Sequence, residues 1–209
     1  MEVEISENHF LLLPQRAVLW KEKQALILSD LHFGKTTHFR KAGIPVPEVL
    51  FQNDLATLDF IVNSYSPQSI IIVGDMFHSH HNAEVEKFAE WRSSKAALEI
   101  HLVLGNHDIL SVSKYQELKL QLSDIYVRDG FTFTHEPLPR PSSFNFSGHI
   151  HPGIRLEGPA RQSLKFPCFY FTQHGCVLPA FSKFTGLSIV NPVAGDRAYA
   201  IVENEVLPY

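Results

Sequence analysis

Short apolar runs that stop abruptly at polar residues set the rhythm of the first hundred residues. His9 to Leu13 and Ala17 to Trp20 read as strands on either side of Pro14-Gln15-Arg16, and Lys21-Glu22-Lys23 reads as a turn. Ala25 to Ser29 is an unbroken apolar run, the mark of a strand buried on both faces, and it stops at Asp30. Ser69 to Val73 repeats the pattern and stops at Gly74-Asp75. Glu99 to Leu104 does so again before Gly105-Asn106-His107-Asp108.

Helical periods separate these runs. Glu48 to Tyr65 follows the breaker Pro45-Val46-Pro47 and places Leu55, Leu58 and Val62 on one face. Asn82 is suited to cap a helix running to about Ala97, with Val85, Phe88, Ala89 and Arg92 at helical spacing. A further helix is expected from Val112 to Leu120. From Ile125 the texture changes. Phe131 to His135, Phe144 to Gly148, Phe166 to Phe171 and Ala198 to Val202 read as strands broken by Pro and Gly. Helix-linked strands followed by consecutive strands predict an α/β sandwich of two packed sheets flanked by helices. No linker or internal repeat interrupts the chain, so residues 1–209 are expected to form a single domain.

The polar residues at which the strands stop are the candidates for chemistry. In layered α/β folds, loops converge beyond the carboxyl ends of strands, where side chains are free of the core. The stops are Asp30-Leu31-His32, Gly74-Asp75 and Asn106-His107-Asp108, joined later by His135 and by Gly148-His149-Ile150-His151. Carboxylate, imidazole and amide oxygen suit Mn, Fe or Zn, and no cysteine stands among them. On an extended backbone Asp30 and His32 point to the same side and can share one ion, and so can His149 and His151. Glycines beside Asp75, Asn106 and His149 allow close backbone approach. Capping and turn formation explain one such cluster, but not five in this order.

The five clusters resemble the signature of the calcineurin-like metallophosphoesterases: Asp-x-His, Gly-Asp, Gly-Asn-His-Asp, a lone His and Gly-His-x-His, here spanning Asp30 to His151. Within that superfamily the chain is similar to the small bacterial phosphoesterases called ligase-associated. The similarity lies in Asp30 to Lys35, Phe39 to Pro47, His135-Glu136-Pro137, Gly148 to Pro152, and Leu178-Pro179-Ala180-Phe181 leading to Phe184-Thr185-Gly186. Glu136 stands where the broader superfamily often has Gly, which fits the smaller group. The resemblance implies a four-layer αββα sandwich of two mixed sheets flanked by helices. It implies two divalent metal ions, Mn²⁺ first with Fe or Zn as alternatives. Asp30, His32 and His151 would hold one, Asn106, His135 and His149 the other, and Asp75 would bridge them. His107 would lie over the substrate phosphate as a catalytic group, oriented by a hydrogen bond that it donates to Asp108. The implied reaction is hydrolysis of a phosphodiester by metal-activated hydroxide. DNA is the implied substrate and DNA-repair proteins the implied partners. A phosphoesterase for small nucleotides or pyrophosphates competes with this, as does a non-catalytic scaffold of the same fold, which should have lost ligands.

Composition changes the picture at a few points. The net charge is −4, from 18 basic and 22 acidic residues. A free-standing nucleic-acid binder usually carries a basic surplus, so any nucleic acid must be gripped locally, by bound cations or with a partner's help. Cys168 and Cys176 are expected to be reduced and buried. No targeting segment and no apolar stretch of roughly 20 residues is present, so a cytoplasmic protein without membrane contact is expected. Lys35, Arg40 and Arg155 are either phosphate contacts or solvated loop charge. His78, His80 and His81 either line a groove or are exposed loop histidines, while His9, His38, His101 and His174 read as structural. Most of the 16 phenylalanines belong to the core, with a few in the last forty residues able to stack on bases.

Overall fold

Apolar runs buried on both faces become the centre of a layered molecule. The computed structural model describes residues 1–47, 49–78, 82–158 and 162–209. Among them, the first sheet lines up β1 (Glu2–Ile5), β2 (Asn8–Leu13), β3 (Ala17–Trp20), β4 (Ala25–Leu28), β5 (Ser69–Val73), β6 (Glu99–Val103) and β7 (Gln121–Ser123) in chain order. Pairing is antiparallel from β1 to β4 and parallel from β4 to β7. Parallel strands need crossovers, and helices supply them. They are α1 (Lys35–Lys41) and α2 (Val49–Tyr65), then α3 (Ala83–Ser94), then α4 (Val112–Glu117). Glu48, the expected start of the second helix, lies outside the described residues. Asn82 caps α3 as expected, accepting from the backbone N–H of Glu84 and Val85.

The second sheet is also mixed. It contains β8 (Ile125–Arg128), β9 (Phe131–Thr134), β10 (Phe144–Ser147), β11 (Pro152–Glu157), β12 (Ser163–Phe171), β13 (Gly175–Val177) and β14 (Ser188–Ile189), with β15 (Arg197–Val202) and β16 (Glu205–Pro208) joined through β12. Alternate residues of each central strand serve different layers. Ile70 and Ile72 of β5 pack with Phe51, Leu58 and Ile61 of α2 and Phe88 of α3. Ile71 and Val73 point the other way, into an interior shared with Phe131, Phe133, Phe146, Phe169 and Phe171 of the second sheet. The opposite face of the second sheet carries a small cluster of Ile154, Cys168, Ala198 and Ala200, against which Val190 packs. Cys168 and Cys176 are both free and buried, and burial pushes the Cys168 thiol up to about 12.

The interior between the sheets is aromatic. Phe146 stacks on Phe133 at 5.6 Å and meets Phe10 at 5.2 Å and Phe131 at 5.9 Å. Phe146→Ala is expected to destabilise the protein by about 3–5 kcal/mol through lost contact and a cavity that rigid neighbours cannot fill. Denaturant unfolding checks this, and a loss under about 1 kcal/mol would show that the sheets are not held by this packing.

Candidate metal centre

The polar stops converge at one end of the sandwich. β4, β5 and β6 run parallel and deliver Asp30, Asp75 and Asn106 from their carboxyl ends. β9 and β10 run parallel in the other sheet and deliver His135 and the Gly148–His151 turn. The two sheets are tied there directly. The His149 N–H donates to Asp30 Oδ2 at 3.1 Å, and the Phe181 N–H donates to the Ser29 carbonyl at 2.8 Å.

Two groups of ligand atoms result. Asp30, His32 and His151 form one, with the three atoms within 4.8 Å of one another. His151 Nε2 lies 3.2 Å from Asp30 Oδ1 and 3.4 Å from His32 Nε2. Asp75, His135 and His149 form the other. His135 Nε2 lies 3.5 Å from Asp75 Oδ1, 3.0 Å from His149 Nδ1 and 2.9 Å from Asn106 Oδ1. The far nitrogen of His135, Nδ1, faces the Val73 carbonyl at 3.4 Å. A proton held there leaves the Nε2 lone pair free, the arrangement that orients imidazole ligands of metals. His149 and His151 therefore join different groups, contrary to the same-side expectation.

The backbone explains the difference. Asp30, His32, Asp75, His149 and His151 all have positive φ, between 51° and 67°. An extended backbone was expected at these pairs, but left-handed turns throw each side chain into the crevice. A side chain in this conformation costs roughly 1–3 kcal/mol and persists where surrounding contacts fix it. The three glycines expected to permit close approach do so. A Cβ on Gly148 would lie 2.5 Å from Ser29 Oγ and 2.6 Å from Asp30 Oδ2, and one on Gly74 or Gly105 would overlap His135 or Asp75.

Metal ions fit this donor set. Six nitrogen and oxygen ligand atoms, three in each group, crowd together with Asn106 Oδ1 beside them, an arrangement that a cation relieves. Burial, helped by Lys35 and by neighbouring imidazoles, pushes His32 down to about 2 and keeps one ring nitrogen free of a proton. Among the described residues, His32 Nδ1 is also one of few buried side-chain atoms without a hydrogen-bond partner.

The profile of calcineurin-like phosphoesterases matches residues 24–168, well over half of the chain. The chain belongs to the calcineurin-like phosphoesterase family. Among solved structures, this phosphoesterase is similar to the Pseudomonas putida nuclease MPE. Identity is 28%, coverage is 100% of this chain and 99% of that one, and the TM-score is 0.85. The E. coli phosphoesterase Yfce is more distant, at 13% identity over 87% of this chain and 95% of that one, with a TM-score of 0.44. No match was found among curated proteins.

Other expected site residues fall differently. The Asp108 carboxylate does not reach the His107 ring. It accepts instead from the backbone N–H of Phe77 and Gly105, both at 2.9 Å, and so ties the loops after β5 and β6 together. Burial pushes its carboxyl up to about 7 against those hydrogen bonds. The His107 N–H donates to Asp75 Oδ1 at 2.9 Å, and its ring packs 4.3 Å from His78. Burial lowers His78 to about 4, with His107 adding to the shift. Lys35 and Arg40 stand on a helix, not a loop. Lys35 is half-buried, and Asp75 and Asp30 attract its ammonium while burial lowers its pKa. Arg40 turns to Thr37 Oγ1 at 3.0 Å. Arg155 is exposed beside Leu156 and Tyr209, apart from the ligand groups. His80 and His81 lie outside the described residues. His9 pairs with Glu22 and His101 stacks on Tyr126 at 3.7 Å, structural as expected, but exposed His38 meets His78 at 5.8 Å.

Sequence reading also missed Glu84. Its buried carboxylate accepts from Gly34 N at 2.6 Å, Thr37 N at 2.9 Å and the Thr36 and Thr37 hydroxyls, fixing the start of α1 and hence Lys35. An acidic residue in the first turn of a helix is ordinary, so its sequence position carries no sign of this second task. Gly148→Ala is expected to displace Asp30 and weaken Mn²⁺ binding by at least about tenfold, as loss of supporting contacts does at metal sites. Isothermal titration checks this; unchanged affinity would mean that Asp30 does not hold the ion.

Proposed function

We propose that this phosphoesterase is a binuclear, metal-dependent phosphodiesterase that cleaves nucleic acid, with residues 1–209 acting as one domain. The observation that carries the reading is the pair of ligand groups, Asp30-His32-His151 and Asp75-His135-His149, whose loops are tied by the bonds from Asp30 N–H to the Gly74 carbonyl and from His32 N–H to the Asp75 carbonyl. On this reading Asp30, His32 and His151 would hold one divalent ion, Asn106, His135 and His149 the second, and Asp75 would serve both. Imidazole, carboxylate and amide oxygen suit Mn, Fe or Zn, and the family resemblance makes Mn²⁺ the first choice among them. Bound ions would supply Lewis acidity and a water acidic enough to act as nucleophile near neutral pH.

The chain's own residues would do the rest. The hydrogen bond from the His107 backbone to Asp75 seats the imidazole near both groups, 5.7 Å from the His32 ring. His107 is half-buried and held by ring contact with His78 and His32, which suits it to donate a proton to the departing oxygen or to steady charge on phosphate. Asp108 keeps the two loops at a fixed separation and acts on His107 only through the backbone. Lys35 adds a cation at the mouth of the crevice. Nucleic acid as substrate is supported by likeness to a nuclease over the full length of both chains. A place beside DNA-repair proteins is supported by the ligase-associated sequence segments.

The test is to strip the protein of metal, restore Mn²⁺, and follow single-stranded DNA and a chromogenic phosphodiester in parallel. Both are expected to be hydrolysed, and His107→Ala is expected to slow both by about 100-fold or more. Mn²⁺-loaded protein that turns over neither substrate would contradict the proposal.

A further inference from the structure

The aromatic residues show which part of the surface is left for a ligand. Of the 16 phenylalanines, only Phe39, Phe60 and Phe184 belong to, or pack against, none of the core clusters. Phe60 is exposed on α2 and meets no other ring among the described residues. Phe39 and Phe184 meet edge to face, with centroids 5.8 Å apart, and both are half-buried, keeping part of each ring open to solvent. They come from distant stretches of chain, α1 and the segment before β14, so their meeting is a product of the fold.

The pair sits beside the metal groups. Lys35 Nζ lies 5.9 Å from the Phe184 ring centroid, and the same ammonium feels Asp75 and Asp30. The Phe184 segment is fixed to the site by its backbone. Ser182 N–H donates to the Asp30 carbonyl at 3.2 Å, and Phe184 N–H donates to Ser182 Oγ at 3.2 Å. Arg16 holds the Ala180 and Ser182 carbonyls, and Asp54 accepts from Lys183 N–H. Lys183 itself is exposed next to Phe184. A half-buried aromatic ledge flanked by cations is the combination that binds single strands, with bases on the rings and phosphates on the charges. It also answers the acidic net charge, because the cations needed are local.

We propose that the Phe39–Phe184 pair is a landing ledge for an unpaired nucleobase next to the phosphate being cleaved, with Lys35 holding the adjoining phosphate, so that the enzyme selects single-stranded nucleic acid. This rests on the nuclease reading above. Bases within a duplex are already stacked and cannot reach the ledge.

The experiment compares KM for Mn²⁺-dependent cleavage of an oligothymidylate, an abasic oligomer of equal length, and a duplex. In the wild-type protein the abasic oligomer is expected to show a KM roughly 10- to 100-fold higher, as for loss of one or two stacked bases. In Phe184→Ala that ratio falls towards one, while Phe184→Tyr keeps it. Each ratio is internal to one protein, so partial misfolding of a variant cancels. A wild-type ratio near one, a ratio unchanged in Phe184→Ala, or a lower KM for the duplex would each overturn the ledge while leaving the nuclease reading in place. No cleavage of any phosphodiester by the Mn²⁺-loaded wild type would remove the nuclease reading, and the ledge with it.

Discussion

Asp30 is a fully buried carboxylate in a left-handed turn, and the working end of the molecule is assembled around it. Its backbone N–H donates to the Gly74 carbonyl, and its own carbonyl accepts from Ser182. Its side chain accepts from Ser29 Oγ and from the His149 backbone, which belongs to the second sheet. One residue thus joins three loops and two sheets. A buried charge is costly unless it is paired and hydrogen-bonded, and the protein surrounds this one with donors and with the His151 imidazole.

Such strain needs a rigid support. Five candidate ligands occupy backbone that side chains rarely adopt, and each would relax if its neighbours gave way. The support is the close-packed interior between the sheets, where Phe10, Trp20, Phe131, Phe133 and Phe146 lock the strands that lead into these turns. Glu84 and Asp108 extend the same principle into the loops, each collecting backbone N–H groups that would otherwise let a loop drift. The phosphoesterase chemistry of the family thus depends on packing some distance from the reacting atoms.

Much of this was legible in the sequence. β5 matches its expected span because a strand buried on both faces is an unbroken apolar run, and Asn82 reads as a cap because an asparagine just ahead of a helical period suits that position. The ligands were legible as types at strand ends. Their distribution between the two groups came from the family resemblance, since residues two apart say nothing about a left-handed turn at each. What stayed hidden had no local period. The helix beginning at Lys35 has seven residues, and β14 has two, too few to show one. The link from Ser182 to Asp30, and the meeting of Phe39 with Phe184, span most of the chain and follow from tertiary packing alone.

The central claim is that Asp75 joins two metal ions in one site. Titration of the metal-free protein with Mn²⁺, followed by electron paramagnetic resonance, tests it most directly. Two ions per chain with a spin-coupled signal, as expected of ions about 3.5–4 Å apart, together with loss of the coupling in Asp75→Asn, is the predicted result. A single ion per chain, or two ions that give only the uncoupled signal, would contradict it.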